Sequence, residues 1–317
     1  MLRVIKWIML FLPASIWLVA RQYHDIWWAE NLTSIPALIL FVYFSLALAL
    51  LVFRRWAKAL TSIVISGAFV PFLLPAHINR SEACEHPLTI IQFNLFYENP
   101  DINQFINYLL KHPVDLVVMQ ELSPQVGNKL HLLDDIYPFY YGGQRGVGYP
   151  SNQMILSRYP LESVSIYHTP DGQEVIRAVW QVDEPITLMT AHPPSPRTEL
   201  LWQRRNALIR TIETLTDLYP TPEMIVIGDF NLSAVSPRFN ELFSRFHSQP
   251  VASWPASLKG ISIPSMAMIG IDHLWLKSEK ADRKICSRLS SSQPKGSDHR
   301  LVTTLNRTMN WDFLMAR

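Results

Sequence analysis

Apolar residues dominate the first quarter of the chain in long runs, whereas after residue 87 they occur in shorter groups separated by polar residues. Three early runs, at 4–20, 35–53 and 59–75, are uncharged apart from Lys6 in the first. A helix that crosses a bilayer needs roughly 20 apolar residues, within a range of about 17–25. The pattern therefore predicts a membrane anchor in residues 1–80 with about three transmembrane helices.

The first run has a second interpretation, as a cleaved secretory signal peptide. Arg3 and Lys6 precede the apolar run, and Leu18-Val19-Ala20 lies at its end. Cleavage there would leave two transmembrane helices instead of three. Both interpretations stay open, and both deliver the chain after residue 80 to the same side of the membrane.

The basic residues of the anchor predict its orientation. They precede the first run and fill the loop after the second (Arg3, Lys6, Arg54, Arg55 and Lys58), whereas loop 21–34 holds one basic residue against two acidic ones. Because cytoplasmic loops carry an excess of Lys and Arg, we expect the N-terminus and loop 54–58 in the cytoplasm. Trp27 and Trp28 suit the opposite interface. We predict a multi-pass protein of the cell (inner) membrane whose residues 81–317 form an extracytoplasmic, or periplasmic, domain.

From residue 87 onward, short apolar groups alternate with amphipathic segments. The pattern predicts strands at 88–93, 114–119, 154–157, 175–182, 186–190, 224–227, 271–276 and 301–305, and helices at 102–110, 123–133, 197–218 and 237–246. Residues 248–269 are expected to form a substrate-facing loop, and 277–288 a charge-rich hairpin or loop. Because some strands alternate with helices and others follow one another, we expect an α/β domain with a mixed sheet or two packed sheets.

Charge and cysteine content narrow the function classes. The chain has 317 residues and a net charge of +2; after residue 80 it holds 21 of the 28 basic and 24 of the 26 acidic residues. The domain therefore lacks the basic footprint of a duplex nucleic-acid binder, and Arg204, Arg205 and Arg210 are expected on a solvated helix face. Cys84 and Cys286 have no zinc-site spacing, and they are either a disulfide outside the cytoplasm or two free thiols.

Polar side chains recur where the predicted strands end. They are carboxylates, amides and imidazoles: Asn94, Glu121, His192, Asp229, Asn231, Asp272, Asp298 and His299. Taken singly, a strand-terminal Asp is most often a turn residue, and Asp229 followed by Asn231 fits an Asx-turn. Eight such residues at the mouths of strands favour one shared site.

The chemistry of this set suits phosphoester hydrolysis. Carboxylate and amide oxygens are the ligands that Mg²⁺ or Mn²⁺ prefers, and Glu121 can anchor such an ion. Asp229 can orient or deprotonate a water, and imidazoles can donate to phosphoryl oxygens where charge builds in the transition state. An acid beside each candidate imidazole could fix its tautomer.

Six short motifs then carry a family resemblance over about residues 87–307. In chain order they are Gln92-Phe93-Asn94, Gln120-Glu121, Ala191-His192-Pro193, Gly228-Asp229-Phe230-Asn231, Ile271-Asp272-His273 and Ser297-Asp298-His299. Together they resemble the endonuclease/exonuclease/phosphatase superfamily, which has the DNase I-like fold. The resemblance implies a four-layer αββα sandwich of two packed mixed sheets, with the site at one end.

The resemblance also implies a role for each residue. Glu121 is expected as the principal metal ligand, with Asn94 and Asp298 beside it. Asp229 resembles the residue that positions or activates water, Asn231 the phosphate-contacting amide, and Asp272 the carboxylate that supports a histidine.

His192 and His299 resemble the pair that faces the scissile phosphate, and the general base stays open between Asp229 and His299. Arg177 lies where some members bind phosphate, although a surface strand arginine is an equal alternative. His273 is expected to be structural, since alternation along its strand points it to the other face.

These expectations combine into a membrane-tethered, metal-dependent phosphatase or phosphodiesterase on the extracytoplasmic face. Tethering near the bilayer favours lipid-linked phosphates or pyrophosphates as substrates. Two alternatives remain: an extracytoplasmic nuclease, and a catalytically inactive binding module at the membrane. Nucleic acid is the less favoured partner, because the DNA-gripping basic loops of the nucleases are not found in the sequence.

Overall fold

A computed structural model of the chain describes residues 1–79, 87–144, 152–258, 260–280 and 282–307. Its first part is helical, with α1 (Leu2–Ala20), α2 (Trp27–Thr33), α3 (Pro36–Val52) and α4 (Trp56–Ala68). One helical stretch, Arg3–Tyr23, is by itself long and apolar enough to cross a bilayer. The helices α2 and α3 pass the same test only as a pair bent by 57°, and the apolar segment Trp56–Phe72 is shorter.

Aromatic side chains hold these helices together. Trp17 is fully buried and makes edge contacts with Phe69 and Phe72. The Tyr43 hydroxyl accepts a hydrogen bond from the Ala14 amide at 3.1 Å and donates to the Leu10 carbonyl at 2.6 Å. The hydroxyl therefore links the Ala14 amide to the Leu10 carbonyl, two groups that hydrogen-bond to each other directly in a regular α-helix. Ala14 immediately follows a proline, where a helix is often distorted.

The second part of the chain contains most of the strands. In chain order the elements are β1 (His77–Asn79), β2 (Leu88–Asn94), α5 (Ile102–Lys111), β3 (Leu116–Gln120), α6 (Pro124–Leu130), β4 (Phe139–Gly142), β5 (Met154–Ser157), β6 (Leu161–His168), β7 (Glu174–Trp180), β8 (Ile186–Ala191), α7 (Glu199–Leu218), β9 (Glu223–Asp229), β10 (His247–Ser248), β11 (Ser257–Leu258), β12 (Ile261–Ser262), β13 (Asp272–Ser278), β14 (Lys284–Ser291) and β15 (Leu301–Arg307).

Two mixed sheets face each other. One has the strand order β1-β14-β15-β2-β3-β5-β4, and the other has the order β10-β13-β9-β8-β7-β6. Apolar side chains from both sheets share one core, while α5 packs on the outer face of the first sheet and α7 on that of the second. The expected four-layer sandwich is confirmed.

Three local predictions were wrong. The strand β6 was missed, and the segment expected as a charge-rich hairpin or loop contains the strand β14, in which Lys284 is exposed but Arg288 is buried, so that charge does not mark the outer face. The helix expected at 237–246 is only a short 3-10 turn, Pro237–Glu241. Cys84 and the tail 309–317 lie outside the described residues, and Cys286 is disulfide-bonded.

The helical part contacts the sandwich through several of its segments. After α4 the chain continues into β1, which pairs with β14 and so extends the first sheet by one strand. The segment between α1 and α3 packs against loops of the second sheet and contacts α7. The helical part and the sandwich are therefore in direct contact, and this contact lies beside the strand ends that carry the polar residues.

Candidate active site

Parallel strand pairs bring four of the polar residues to one end of the sandwich. β2 runs parallel to β3, and β8 runs parallel to β9. Asn94 and Asp229 are the last residues of β2 and β9, while Glu121 and His192 follow β3 and β8 directly. A Cβ on Gly228 would lie 2.0 Å from the Ala191 carbonyl oxygen, so only glycine permits this close approach of β9 to the end of β8.

Asn94 lies between the two acids. Its Nδ2 donates to Glu121 Oε1 and to Asp229 Oδ2, both at 3.0 Å. The His192 Nε2 is 3.6 Å from the same two oxygens, too far for a direct hydrogen bond. Glu121 has a positive φ of 54°, a conformation that costs a non-glycine residue about 1–3 kcal/mol and is typical of functional sites.

The donor set suits a divalent cation. Single ligand atoms of Glu121, His192 and Asp229 lie within 4.8 Å of one another. Burial raises the pKa of Asp229, and the charges of Asp272 and Glu121 add to the rise; a bound cation would relieve this repulsion. Two carboxylates with one imidazole therefore fit a metal, and Glu121 and Asp229 would supply the oxygen ligands.

A second acid–imidazole pair lies beside the first group. His299 Nδ1 is 2.9 Å from Asp272 Oδ2, and its Nε2 is 3.7 Å from Asp229 Oδ2. Burial lowers the pKa of His299, but the charges of Asp272 and Asp229 outweigh it and raise the pKa to about 10. His299 is thus held protonated between two acids.

The pKa values of the other three buried groups of the site shift in different directions. Burial would raise the pKa of Asp272, but the charge of His299 and its hydrogen bond lower it overall. Burial raises the pKa of Asp229 to about 8, and His299 opposes this shift. The pKa of His192 is lowered, mainly by burial, although Glu121 opposes the change. The site therefore combines a neutral imidazole, a protonated imidazole and an acid that binds its proton tightly.

The turn after β9 holds Asn231 in place. The Asn231 amide donates to Asp229 Oδ1 at 2.9 Å, and its side-chain Nδ2 donates to the Pro193 carbonyl at 2.9 Å. This is the Asx-turn that the sequence also allowed. The same residues therefore form both the Asx-turn and part of the site. Asn231 has a positive φ of 51° in this turn.

The comparisons with known proteins agree with this geometry. Residues 91–299 match the model of the Endonuclease/Exonuclease/phosphatase family. The chain belongs to this family. No curated protein matches the sequence.

Solved structures of the same fold include D. rerio TDP2 complexed with a single-strand DNA product, with a TM-score of 0.59, 19% identity, and 71% of this chain and 100% of that chain covered. The human Nocturnin catalytic domain with bound sulfate has a TM-score of 0.52, 15% identity, and coverage of 74% and 100%. Sphingomyelinase C from Streptomyces griseocarneus has a TM-score of 0.50, 15% identity, and coverage of 70% and 99%. At these identities the likeness shows the fold, and family membership supports hydrolysis of a phosphoester.

Two of the residues named from the resemblance lie apart from the central group. Asp298 lines the cleft, but its carboxylate accepts a hydrogen bond from Trp254 Nε1 at 3.1 Å and belongs to neither acid–imidazole group. Arg177 is not brought to the site. Its guanidinium lies 5.0 Å from the ring centroid of Tyr219, because alternation along β7 points it towards α7 rather than the cleft.

His273 lies away from the site, as expected of a structural residue. Its Nε2–H donates to the Leu232 carbonyl at 2.7 Å, and its ring packs against Phe239 and Trp275. Burial lowers the pKa of His273 to about 3. Two neighbours on one strand, Asp272 and His273, thus serve the site and the core separately.

Several supporting residues escaped the sequence analysis. Gln92 and Arg288, both buried, contact Asp272: Gln92 Nε2 donates to its carboxylate at 3.4 Å and Arg288 NH2 to its carbonyl at 3.0 Å. Ser297 Oγ accepts from the His299 amide and donates to the Asn94 carbonyl. Gln92 and Ser297 belong to the motifs but are uncharged, and Arg288 lies in the segment expected as a loop. None of the three therefore had a sequence pattern that marked it as part of the site.

The prediction that Arg205 lies on a solvated helix face was wrong. Arg205 is only 1% exposed, and its NH2 is 2.6 Å from Glu30 Oε2, in the segment between α1 and α3. Its neighbour Arg204 is partly exposed and pairs with Asp171. Periodicity could not separate the two, because the surface that covers Arg205 comes from a distant part of the chain.

The site opens into a cleft of about 570 Å³. Glu121, His299 and Asp298 line it from the sandwich, and the segment between α1 and α3 lines it with Asn31, Ser34 and Ile35. Residues from the expected substrate-facing loop 248–269, such as Trp254, also contribute. The cleft is therefore formed jointly by the family domain and the N-terminal helical part.

Proposed function

We propose that the chain is a membrane-tethered, divalent-metal-dependent phosphoester hydrolase that acts on lipid-linked phosphates or pyrophosphates at the extracytoplasmic face. One observation carries the proposal: the acid–imidazole site of a phosphoesterase family opens into a cleft with one wall formed by the N-terminal helical part, which we propose as the membrane anchor. Residues 1–80 are the anchor and residues 81–317 the catalytic domain.

The side chains divide the chemical work. Asp229 Oδ2 faces both histidines, and with a bound cation lowering its raised pKa the ionised carboxylate would accept a proton from the attacking water. His299 is held protonated by Asp272 and donates towards phosphoryl oxygens, where charge increases in the transition state. His192 adds a second imidazole on the same side of Asp229. Mg²⁺ or Mn²⁺ held by Glu121 with Asp229, and with Asn94 nearby, would neutralise the phosphate charge.

The position of the anchor supports a substrate in the bilayer. Ile35, which immediately precedes the apolar helix α3, lines the same cleft as Glu121 and His299. A phosphoester held in the outer leaflet would therefore need to rise only a short distance to reach the site. Arg197 also lines the cleft; it is the one arginine or lysine among the described lining residues, and we propose that it contacts the phosphate in place of Arg177.

The charge distribution along the helices supports the orientation. Arg3, Lys6, Arg55 and Lys58 line one cavity formed by the start of α1, the end of α3 and the start of α4. This cavity lies at the helix ends away from the catalytic cleft, as the positive-inside rule requires for an external catalytic domain. The disulfide at Cys286 is consistent with an oxidising compartment.

The hairpin β11–β12 supports contact with the bilayer beside the cleft. Leu258 and Ile261 are 62% and 71% exposed, and Met266 in the turn that follows is 50% exposed. That turn packs against α3. If α3 enters the membrane, these apolar side chains lie at its surface, where exposure would otherwise be unfavourable.

A substrate panel tests the proposal. Full-length protein in detergent is assayed with phospholipids, a polyisoprenyl pyrophosphate, bis(4-nitrophenyl) phosphate and plasmid DNA, each with Mg²⁺, Mn²⁺, Ca²⁺ or EDTA. We expect release of phosphate or headgroup from a lipid with Mg²⁺ or Mn²⁺, and loss of release with EDTA or Glu121→Ala. Release from none of the lipids would reject the lipid assignment, and degradation of the plasmid alone would favour a nuclease.

A further inference from the structure

The segment 21–35, here called the elbow, contacts both loops that carry the catalytic residues of the second sheet. On the loop after β8, which begins with His192, the Pro196 carbonyl accepts hydrogen bonds from Trp27 Nε1 at 2.8 Å and from Asn31 Nδ2 at 2.9 Å. The elbow therefore fixes the loop of His192 through its backbone.

The elbow also binds the loop after β9, which begins at Asp229. Ser233 Oγ donates to the Ser34 carbonyl at 3.0 Å, and Arg21 NH1 donates to the Val235 carbonyl at 2.6 Å. Ser236 Oγ donates to Glu30 Oε1 at 3.3 Å. Polar contacts thus run along the whole loop rather than at a single point.

Glu30 is the centre of this contact. It is fully buried, and Oε2 accepts hydrogen bonds from Arg205 NH2 at 2.6 Å and from Trp202 Nε1. Arg205 in turn donates from NH1 to the Asn231 carbonyl at 2.9 Å. A continuous chain of charge-assisted hydrogen bonds therefore links the anchor to the backbone of the catalytic turn.

We propose that Glu30 is a positioning residue of the active site, which acts through Arg205 on the turn Asp229–Asn231. The inference rests on the proposed hydrolase function. Asn231 is held at three points: its amide by Asp229, its side chain by the Pro193 carbonyl, and its carbonyl by Arg205.

The third of these contacts depends on Glu30. Asn231 has a left-handed backbone that persists only where its surroundings enforce it. Without the carboxylate, the buried Arg205 has no counter-charge in the elbow and moves towards solvent or other acceptors, and the turn loses one of its three supports.

The test compares two substitutions that remove the partners of neighbouring arginines on α7. Glu30→Gln keeps the size of the side chain but removes its charge. Asp171→Asn does the same to the surface partner of Arg204, whose ion pair has the same length of 2.6 Å. Both full-length variants are assayed with bis(4-nitrophenyl) phosphate in detergent, below the temperature at which either begins to unfold.

We expect Glu30→Gln to lower kcat by about 10–100-fold with little change in KM, because displacing a positioned group by about 1 Å can slow catalysis 100-fold. Asp171→Asn should leave both constants unchanged. In a double-mutant cycle with Asn231→Ala, the two effects on kcat should not be additive, since both act on one turn.

Glu30→Asp provides a second measurement if Glu30→Gln folds poorly, because it keeps the charge but shortens the reach, and it should give an intermediate kcat. A kcat of folded Glu30→Gln equal to that of Asp171→Asn, or additive effects with Asn231→Ala, would overturn the proposal. Absence of hydrolysis of bis(4-nitrophenyl) phosphate and of every substrate of the panel by the unsubstituted protein would instead reject the proposed function itself.

Discussion

The helical part of the chain and the sandwich use charged residues in opposite ways. In the sandwich, acids and imidazoles at strand ends are buried together, where they shift one another's pKa values. In the helical part, basic residues gather at the end remote from the cleft, and the buried acid Glu30 points into the sandwich. The comparison teaches that the sandwich holds the chemistry, whereas the helices contribute support and one wall of the cleft.

Two neighbouring arginines on α7 form ion pairs that show the same difference within a single helix. Arg204–Asp171 and Arg205–Glu30 have equal N···O distances of 2.6 Å. The first pair is about one-third exposed and joins parts of the sandwich, whereas the second is buried and joins the sandwich to the helical part. Equal geometry should therefore give unequal energies, because water screens only the first pair.

The largest effect is expected at the acids of the sandwich. Asp229→Ala should lower kcat/KM by about 1,000-fold or more, because it removes the acceptor for the attacking water. The matched control is Asp134→Ala, an acid on the surface near α6. The hydrolysis kinetics of both variants are measured with bis(4-nitrophenyl) phosphate. Normal activity of a folded Asp229→Ala variant would show that hydrolysis does not take place at this site.

The next largest effect is expected at the contact between the helical part and the sandwich. Glu30→Gln should reduce the free energy of unfolding by about 3–5 kcal/mol, because it leaves the buried Arg205 without its partner. Denaturant unfolding of the full-length protein in detergent measures the change. A loss of unfolding free energy smaller than that of a surface ion pair would mean that the Glu30–Arg205 pair does not stabilise the contact between the helical part and the sandwich.

His273 should give a smaller effect that depends on pH. Its folded pKa of about 3 lies below the value of about 6.5 for an unfolded histidine. The unfolded chain therefore binds a proton that the folded chain excludes, and the stabilising contribution present above pH 6.5 is lost as the pH falls.

Between pH 7 and 4.5 this loss should amount to about 2–3 kcal/mol. The free energy of unfolding is measured at several pH values for the unsubstituted protein and for His273→Gln. The difference between the two isolates the contribution of His273, since the other titrating groups are common to both. Parallel pH profiles for the two proteins would show that His273 titrates normally.

The smallest effect is expected for the surface pair on α7. Asp171→Asn should change the free energy of unfolding by about 0–1 kcal/mol, and less at high salt. The same unfolding measurement applies at low and high ionic strength. A loss as large as that of Glu30→Gln would break the distinction between the two pairs.

Most of the candidate site could be predicted because its residues occupy strand ends. Asn94, Glu121, His192 and Asp229 each follow an apolar strand, and parallel pairing brings such ends together. Arg177 shows the limit of this reasoning, because its position along β7 suited phosphate binding while its side chain points to the outer face. The residues that support the site, such as Arg288 and Ser297, depend on contacts between distant segments and gave no local pattern.

Local order along the chain was enough to predict the apolar helices, most of the longer strands, the Asx-turn at Asp229 and the family motifs. The folded molecule was needed to show that Arg205 rather than Arg204 is buried, that Glu30 of the helical part pairs with it, and that the elbow forms a wall of the cleft. The physical reason is that periodicity records which face of an element is apolar. A buried ion pair between residues 175 positions apart has no periodic signal and exists only when both surfaces have folded.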